Sequence, residues 1–161
     1  MSQRSMTDQD FSIKLADKSM VHEARSFLMS VFAPLLYDEL SRSLEELDKR
    51  ASRANCDIGC MFSNEELVAS IQVEWHDEYV HVNLFGVHPA YRGKGIPRRM
   101  LTWLEEECRK RGISMIEFET LEDWQTRHLL YEKLGCTKGE SFRRDGVDYR
   151  KFRKLITQRP D

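Results

Sequence analysis

Three short apolar runs, "DIGCMF", "LVASIQVEWH" and "YVHVNLFGV", follow one another, split by the turn-prone "SNEE" and by "HDE", whose His76 ends the second run. Each has the length and the β-branched content of a strand, and each break has turn chemistry. Connections this short cannot carry a crossover, so the three predict an antiparallel meander. The last run then passes through "HPAYRGKGIPRR" into a segment with Met100, Leu101, Leu104 and Cys108 on one helical stripe, closed by Gly112.

Further strands and helices attach on both sides. "FSIKLA" alternates Phe11, Ile13 and Leu15 against polar residues, the pattern of a half-buried strand. Val21, Ala24, Phe27, Leu28 and Val31 have helical spacing, with Pro34 as a stop. A second helix is expected from Asp38 to Ala54, with Leu40, Leu44 and Leu47 on one face and Asp38, Glu39, Glu45, Glu46 and Asp48 flanking it. Such a set is commonly a solvated side, and it could also attract a cationic substrate. "SMIEFET" reads as a strand. "DWQTRHLLYEKLG" reads as a helix capped by Asp123 and ended by Gly135. "CTKGESFRR" and "VDYRKFRKLI" form a hairpin around Asp145-Gly146.

The expected order is β-α-α-β-β-β-α-β-α-β-β, an α/β (α+β) class with a mixed, mostly antiparallel sheet flanked by helices. Residues 1–10 are expected to be loose, and 11–161 to form a single domain.

Composition narrows the function. The chain has 161 residues, 32% of them charged, and a net charge of −2, so no global field recruits nucleic acid. The basic run from Arg143 to Lys154 alternates as a hairpin strand does, with Tyr149 and Phe152 as packing residues. No apolar run reaches the roughly 18 residues of a membrane span, and the polar start has no signal-peptide apolar stretch. Cys56, Cys60, Cys108 and Cys136 lack zinc-ribbon spacing and read as reduced structural thiols of a cytoplasmic protein. The histidines form no HxxxH pair, so no metal is expected.

The glycine segment has the physics of an anion site. Glycines let backbone approach phosphate, first-turn amides point outward, and the helix dipole favours negative charge. Arg92, Lys94, Arg98 and Arg99 add counter-charge. A solvated basic turn would have the same spacing. Two phosphate motifs fail: a Walker loop needs glycine at His88 and Ser or Thr at Gly95, and the dinucleotide fingerprint needs glycine or alanine at Arg98.

"VHPAYRGKGIPRRML" resembles the acetyl-CoA signature of the GNAT superfamily of acyltransferases, Arg/Gln-x-x-Gly-x-Gly/Ala after a strand ending Val-x-Pro. "HLLYEKLGC" resembles that family's Leu-Tyr-Glu-x-Leu-Gly-Phe segment, with Cys136 in the Phe position. The likeness runs from about Leu67 to Ile156. It implies a V-shaped cleft between the strands "HVNLFGV" and "MIEFET", with Gly86 at the bulge that opens it. It implies that the pantetheine arm of acetyl-CoA pairs with backbone at Phe85, Gly86 and Val87. It also implies that the pyrophosphate rests on Arg92, Gly93, Lys94, Gly95, Ile96 and Arg98. Two positions depart from the pattern. Pro97 stands at the last Gly/Ala and offers no N–H, a loss that Arg98 could compensate. Trp124 stands where many members carry an asparagine.

Acetyl transfer to an amine requires a deprotonated amine, a donor for the developing oxyanion and a proton for the leaving thiolate. By resemblance, Tyr131 is the general acid. Glu119 matches the base of some protein N-terminal acetyltransferases, and His81 matches a glutamate used as base by histone-type members. Asn83 cannot deprotonate anything, and water-relayed deprotonation is a third route. The resemblance therefore implies an acetyl-CoA-dependent N-acetyltransferase acting on a small-molecule or peptide amine, with a homodimer left open. A protein N-terminal or lysine acetyltransferase and a non-catalytic acyl-CoA-binding module are the alternatives.

Overall fold

A computed structural model describes residues 11–32 and 38–157. The segment 1–10 and Pro34, both read from the sequence above, lie outside the described residues. The elements run β1 (Ser12–Leu15), α1 (Val21–Phe32), α2 (Asp38–Arg50), β2 (Cys56–Ser63), β3 (Glu66–Trp75), β4 (Tyr79–Val87), α3 (Ile96–Lys110), β5 (Met115–Leu121), α4 (Gln125–Lys133), β6 (Thr137–Arg144) and β7 (Val147–Leu155). The expected order of elements is the observed one.

The strands form a seven-stranded sheet in the order β1-β2-β3-β4-β5-β7-β6. All neighbours are antiparallel except β4 and β5, which are parallel and joined through α3. Each face buries its own cluster, as the alternation of strand side chains requires. One holds Ile71, Val82, Phe85, Ile96, Met100, Leu104, Phe118, Tyr131 and Phe152 beneath α3 and α4. The other holds Ala24, Leu28, Phe32, Leu40, Leu44, Leu47, Leu84 and Tyr149 beneath α1 and α2. All four cysteines are buried free thiols.

Three expectations change in detail. Helix α2 stops at Arg50 rather than Ala54, because Ala51, Ser52 and Arg53 turn back onto the carbonyls three residues earlier and tighten the chain out of the helix. Asp123 is not the cap of α4: Trp124 occupies that position and no side chain caps the helix. The bulge of β4 is at Asn83, not Gly86. Gln72 pairs with Leu84 while Val73 pairs with Val82, which leaves Asn83 as the extra residue. Gly86 instead admits Val31 of α1, whose side chain would lie 3.1 Å from a Cβ there.

Among the described residues no helix is long and apolar enough to cross a membrane. No group of three or more His, Cys, Asp or Glu among them could hold a metal ion.

Candidate active site

Strands β4 and β5 pair from Tyr79↔Met115 to Val82↔Phe118 and then part. The bulge at Asn83 falls where they separate, so the two strand ends open a V. Glu119, Thr120 and Leu121 line one arm, Asn83, Leu84 and Phe85 the other. Phe32 of α1, Leu40, Leu44 and Leu47 of α2, Tyr149 of β7, and Trp124, Arg127 and Tyr131 complete a pocket. Both amide atoms of Asn83 and the hydroxyl of Thr120 are buried there without a hydrogen-bond partner. Each unmet group costs about 1–3 kcal/mol relative to a satisfied one.

The glycine segment lies at the other end of the V. After the 3-10 turn Pro89–Tyr91, Gly93 and Gly95 take φ of 77° and 75°, the left-handed region that glycine occupies without Cβ strain. Gly95 is the N-cap of α3, and no side chain caps the helix. Nothing lies within 4 Å of where either Cβ would stand. The amides of the first turn have no intrahelical acceptor, and the positive end of the helix dipole lies behind them. Pro97 in that turn contributes no N–H.

The sequence-predicted cofactor residues fall into three groups. Phe85, Val87, Arg92 and Gly93 line one groove with Pro97, Trp124, Thr126, Arg127 and Leu130. Lys94, Gly95 and Arg98 border a second surface beside Phe11 and Trp103, and Arg98 donates to the Lys133 carbonyl at 3.5 Å. Ile96 is buried in the core and Gly86 lies against α1, so both could reach a ligand only through backbone.

Phe85, Trp124 and Arg127 border both the groove and the pocket. Tyr131 is 2% exposed, with its ring 4.6 Å from Phe118. Burial pushes the phenol above its ordinary pKa, so it holds its proton at neutral pH. Arg127 lies one helical turn earlier and places Nη1 3.5 Å from the Tyr131 hydroxyl. The same nitrogen donates to the Phe85 carbonyl at 3.2 Å, and the guanidinium stacks 4.3 Å over Trp124.

His81 and Glu119 meet on the α1/α2 side of the sheet. His81 Nε2 is 2.6 Å from Glu119 Oε1, and Nδ1 is 2.8 Å from Glu117 Oε1. Burial by itself would lower the imidazole pKa, but the hydrogen bonds and charges of the two glutamates outweigh it and raise the pKa to about 9. Both ring nitrogens therefore donate. Burial would raise Glu119, yet His81 and Arg144 hold it below the ordinary carboxylate range. Glu117, bonded to His81 and Arg153, is brought down to about 2. Arg144 and Arg127 were not singled out from the sequence. Arg127 had a usable signal in its one-turn spacing from Tyr131, whereas Arg144 reaches Glu119 only because β7 and β6 follow β5 in the sheet.

A family model described as the acetyltransferase (GNAT) family matches residues 20–136. Among solved structures, the ribosomal-protein-S18-alanine N-acetyltransferase of Escherichia coli superposes with a TM-score of 0.73 at 18% identity, over 94% of this chain and 97% of that one. The Salmonella typhimurium protein yncA, solved with its cofactor acetyl-CoA, gives 0.64 at 18% identity over 94% and 97%. An aminoglycoside 6'-N-acetyltransferase complexed with coenzyme A gives 0.67 at 17% identity over 93% and 99%. At these identities the structural likeness speaks for the fold.

Proposed function

Because the chain belongs to the acetyltransferase (GNAT) family, we propose that it transfers an acetyl group from acetyl-CoA to a primary amine of a small molecule or peptide. Both substrates are held together and the amine attacks directly, so proximity supplies much of the rate. One observation carries this reading: the groove leading from the Gly93–Gly95 turn along Phe85 and Val87 shares its walls with the pocket where β4 and β5 part.

Acetyl-CoA supplies an activated acetyl thioester. The backbone of Arg92, Gly93, Lys94, Gly95 and Ile96, with the Arg98 side chain, holds its diphosphate, and the backbone of Phe85, Gly86 and Val87 holds its arm. These residues suit a diphosphate because Gly93 and Gly95 keep the space over the amides clear. Tyr131 Oη provides the proton for the departing sulfur. Glu119 accepts a hydrogen bond from the attacking nitrogen, and His81 and Arg144 keep that carboxylate ionised. A base held this far below neutrality has little driving force for taking the proton itself. The amine therefore enters as free base. In balance, a C–N bond forms, the C–S bond breaks, sulfur takes the Tyr131 proton, and the nitrogen's proton leaves through solvent and restores Tyr131. The four buried thiols suit a reducing, cytoplasmic compartment.

Calorimetry with acetyl-CoA and coenzyme A, followed by an amine-library screen with thiol-release detection, tests the proposal. Binding with turnover of at least one amine is expected. Absence of binding would sink it, and binding without turnover across the library would fit the acyl-CoA-binding module instead.

A further inference from the structure

Asn83 and Thr120 are 3% and 5% exposed, and neither side chain has a hydrogen-bond partner. They sit on opposite arms of the V, Asn83 as the bulged residue of β4 and Thr120 beside Glu119 on β5. Any apolar residue of similar size would fill these positions without leaving buried polar atoms unmet. A pair of orphaned polar groups where a cleft begins to open is therefore a recognition element for something that enters it.

The rest of the pocket limits what that is. Leu40, Leu44, Leu47, Phe32 and Trp124 give it an apolar wall. The carboxylate there, Glu119, is already balanced by Arg144 and His81, and Arg127 adds a cation. On α2, Glu45 and Glu46 are exposed and Asp48 is paired with Arg25 at 2.9 Å, so these acids do not face the pocket. A polycation would find no free countercharge among the described lining residues, whereas an apolar body carrying one amine would fit.

Resting on the acetyl-transfer reading, we infer that the acceptor is an α-amino carboxamide with an apolar side chain, either an amino-acid amide or the first residue of a peptide. Its carbonyl and amide N–H are read by Asn83 and Thr120. Asparagine offers both a donor and an acceptor. A carboxamide answers both. A carboxylate cannot donate to Oδ1, and a plain alkylamine leaves Nδ2 unmet.

The test uses the full-length protein and four acceptors: leucinamide, leucine, isoamylamine and spermidine. Acetyl-CoA affinity is measured first by calorimetry for the wild type, Asn83→Leu and Thr120→Val. The wild type should turn over leucinamide with the highest kcat/KM. Each variant should reduce the leucinamide-to-isoamylamine ratio by about tenfold or more, with acetyl-CoA affinity unchanged. Comparing ratios between proteins cancels the different basicities of the two amines. Thr120→Val, nearly isosteric, keeps the question open to an answer if Asn83→Leu misfolds. No acetyl-CoA binding by the wild type overturns the acetyl-transfer reading and this inference together. With binding intact, preference for leucine or spermidine, or an unchanged ratio in both variants, overturns this inference alone.

Discussion

Arg144 donates two hydrogen bonds to Glu119, Nη2 to Oε2 at 2.5 Å and Nη1 to Oε1 at 3.2 Å. The contact ties the last hairpin to the wall of the pocket where β4 and β5 part, and it does so where the carboxylate is only 1% exposed. Removing one partner of a buried pair strands the other charge. Arg144→Leu should therefore lose about 3 kcal/mol of stability, the lower end for such pairs because His81 still faces Glu119. Adding Glu119→Gln should recover most of that loss. Urea unfolding of the two single variants and the double variant measures the coupling, and a purely additive result would mean the pair is not coupled.

The phenol of Tyr131 is buried and protonated, with no ion pair of its own. Its hydroxyl can therefore be deleted with little effect on packing. Tyr131→Phe should keep acetyl-CoA affinity and the melting temperature near wild type while lowering single-turnover rates by roughly tenfold or more. Loss of binding instead of rate would mark Tyr131 as a packing residue.

Much of the fold was legible because strands and helices announce themselves locally. The stripe Met100, Leu101, Leu104 and Cys108 and the alternation around Asp145-Gly146 needed no knowledge of distant residues, and both elements formed where expected. The cleft between β4 and β5 was expected from the resemblance, but the residue at its bulge was not legible. A bulge is a property of pairing, and only the register of Gln72 and Val73 against β4 singles out Asn83 over Gly86. The charge chain from Glu117 through His81 to Glu119 and Arg144 likewise joins residues far apart in sequence. It exists because β4, β5, β7 and β6 lie side by side in that order. Asp123 misled because its type suits a cap, while the chain began its helix after Trp124.

Two sets of glycines should respond differently to alanine. Gly93 and Gly95 have positive φ and open space beyond, so a methyl group there costs backbone strain of about 1–2 kcal/mol. It would also intrude over the amides assigned to the diphosphate. Acetyl-CoA binding should weaken by roughly tenfold, about 1.4 kcal/mol. Gly59 lies under α3, where a Cβ would come 2.7 Å from the Trp103 ring and 2.9 Å from Ile71. Gly59→Ala should lose about 1–3 kcal/mol through overpacking with affinity unchanged. Calorimetry beside thermal melts separates the two, and equal affinity losses at Gly59 and Gly95 would refute the assignment.

The ionised bridge at His81 makes stability depend on alkaline pH. Burial favours the neutral ring, but Glu117 and Glu119 outweigh it and raise the folded pKa from 6.5 to about 9. The folded protein binds this proton more tightly than the unfolded chain does. Its contribution is complete below about pH 6.5 and is lost as pH rises through about 9. His81→Gln carries no titrating ring, so its deficit in melting temperature should be greatest near pH 6 and shrink toward pH 10. Taking the difference between the two proteins cancels groups common to both, including Lys151 and Arg153 beside Glu117. Glu117, at about 2, and Glu119, also lowered, stay ionised throughout that range. A deficit that stays constant across it would mean that His81 does not carry the bridging charge.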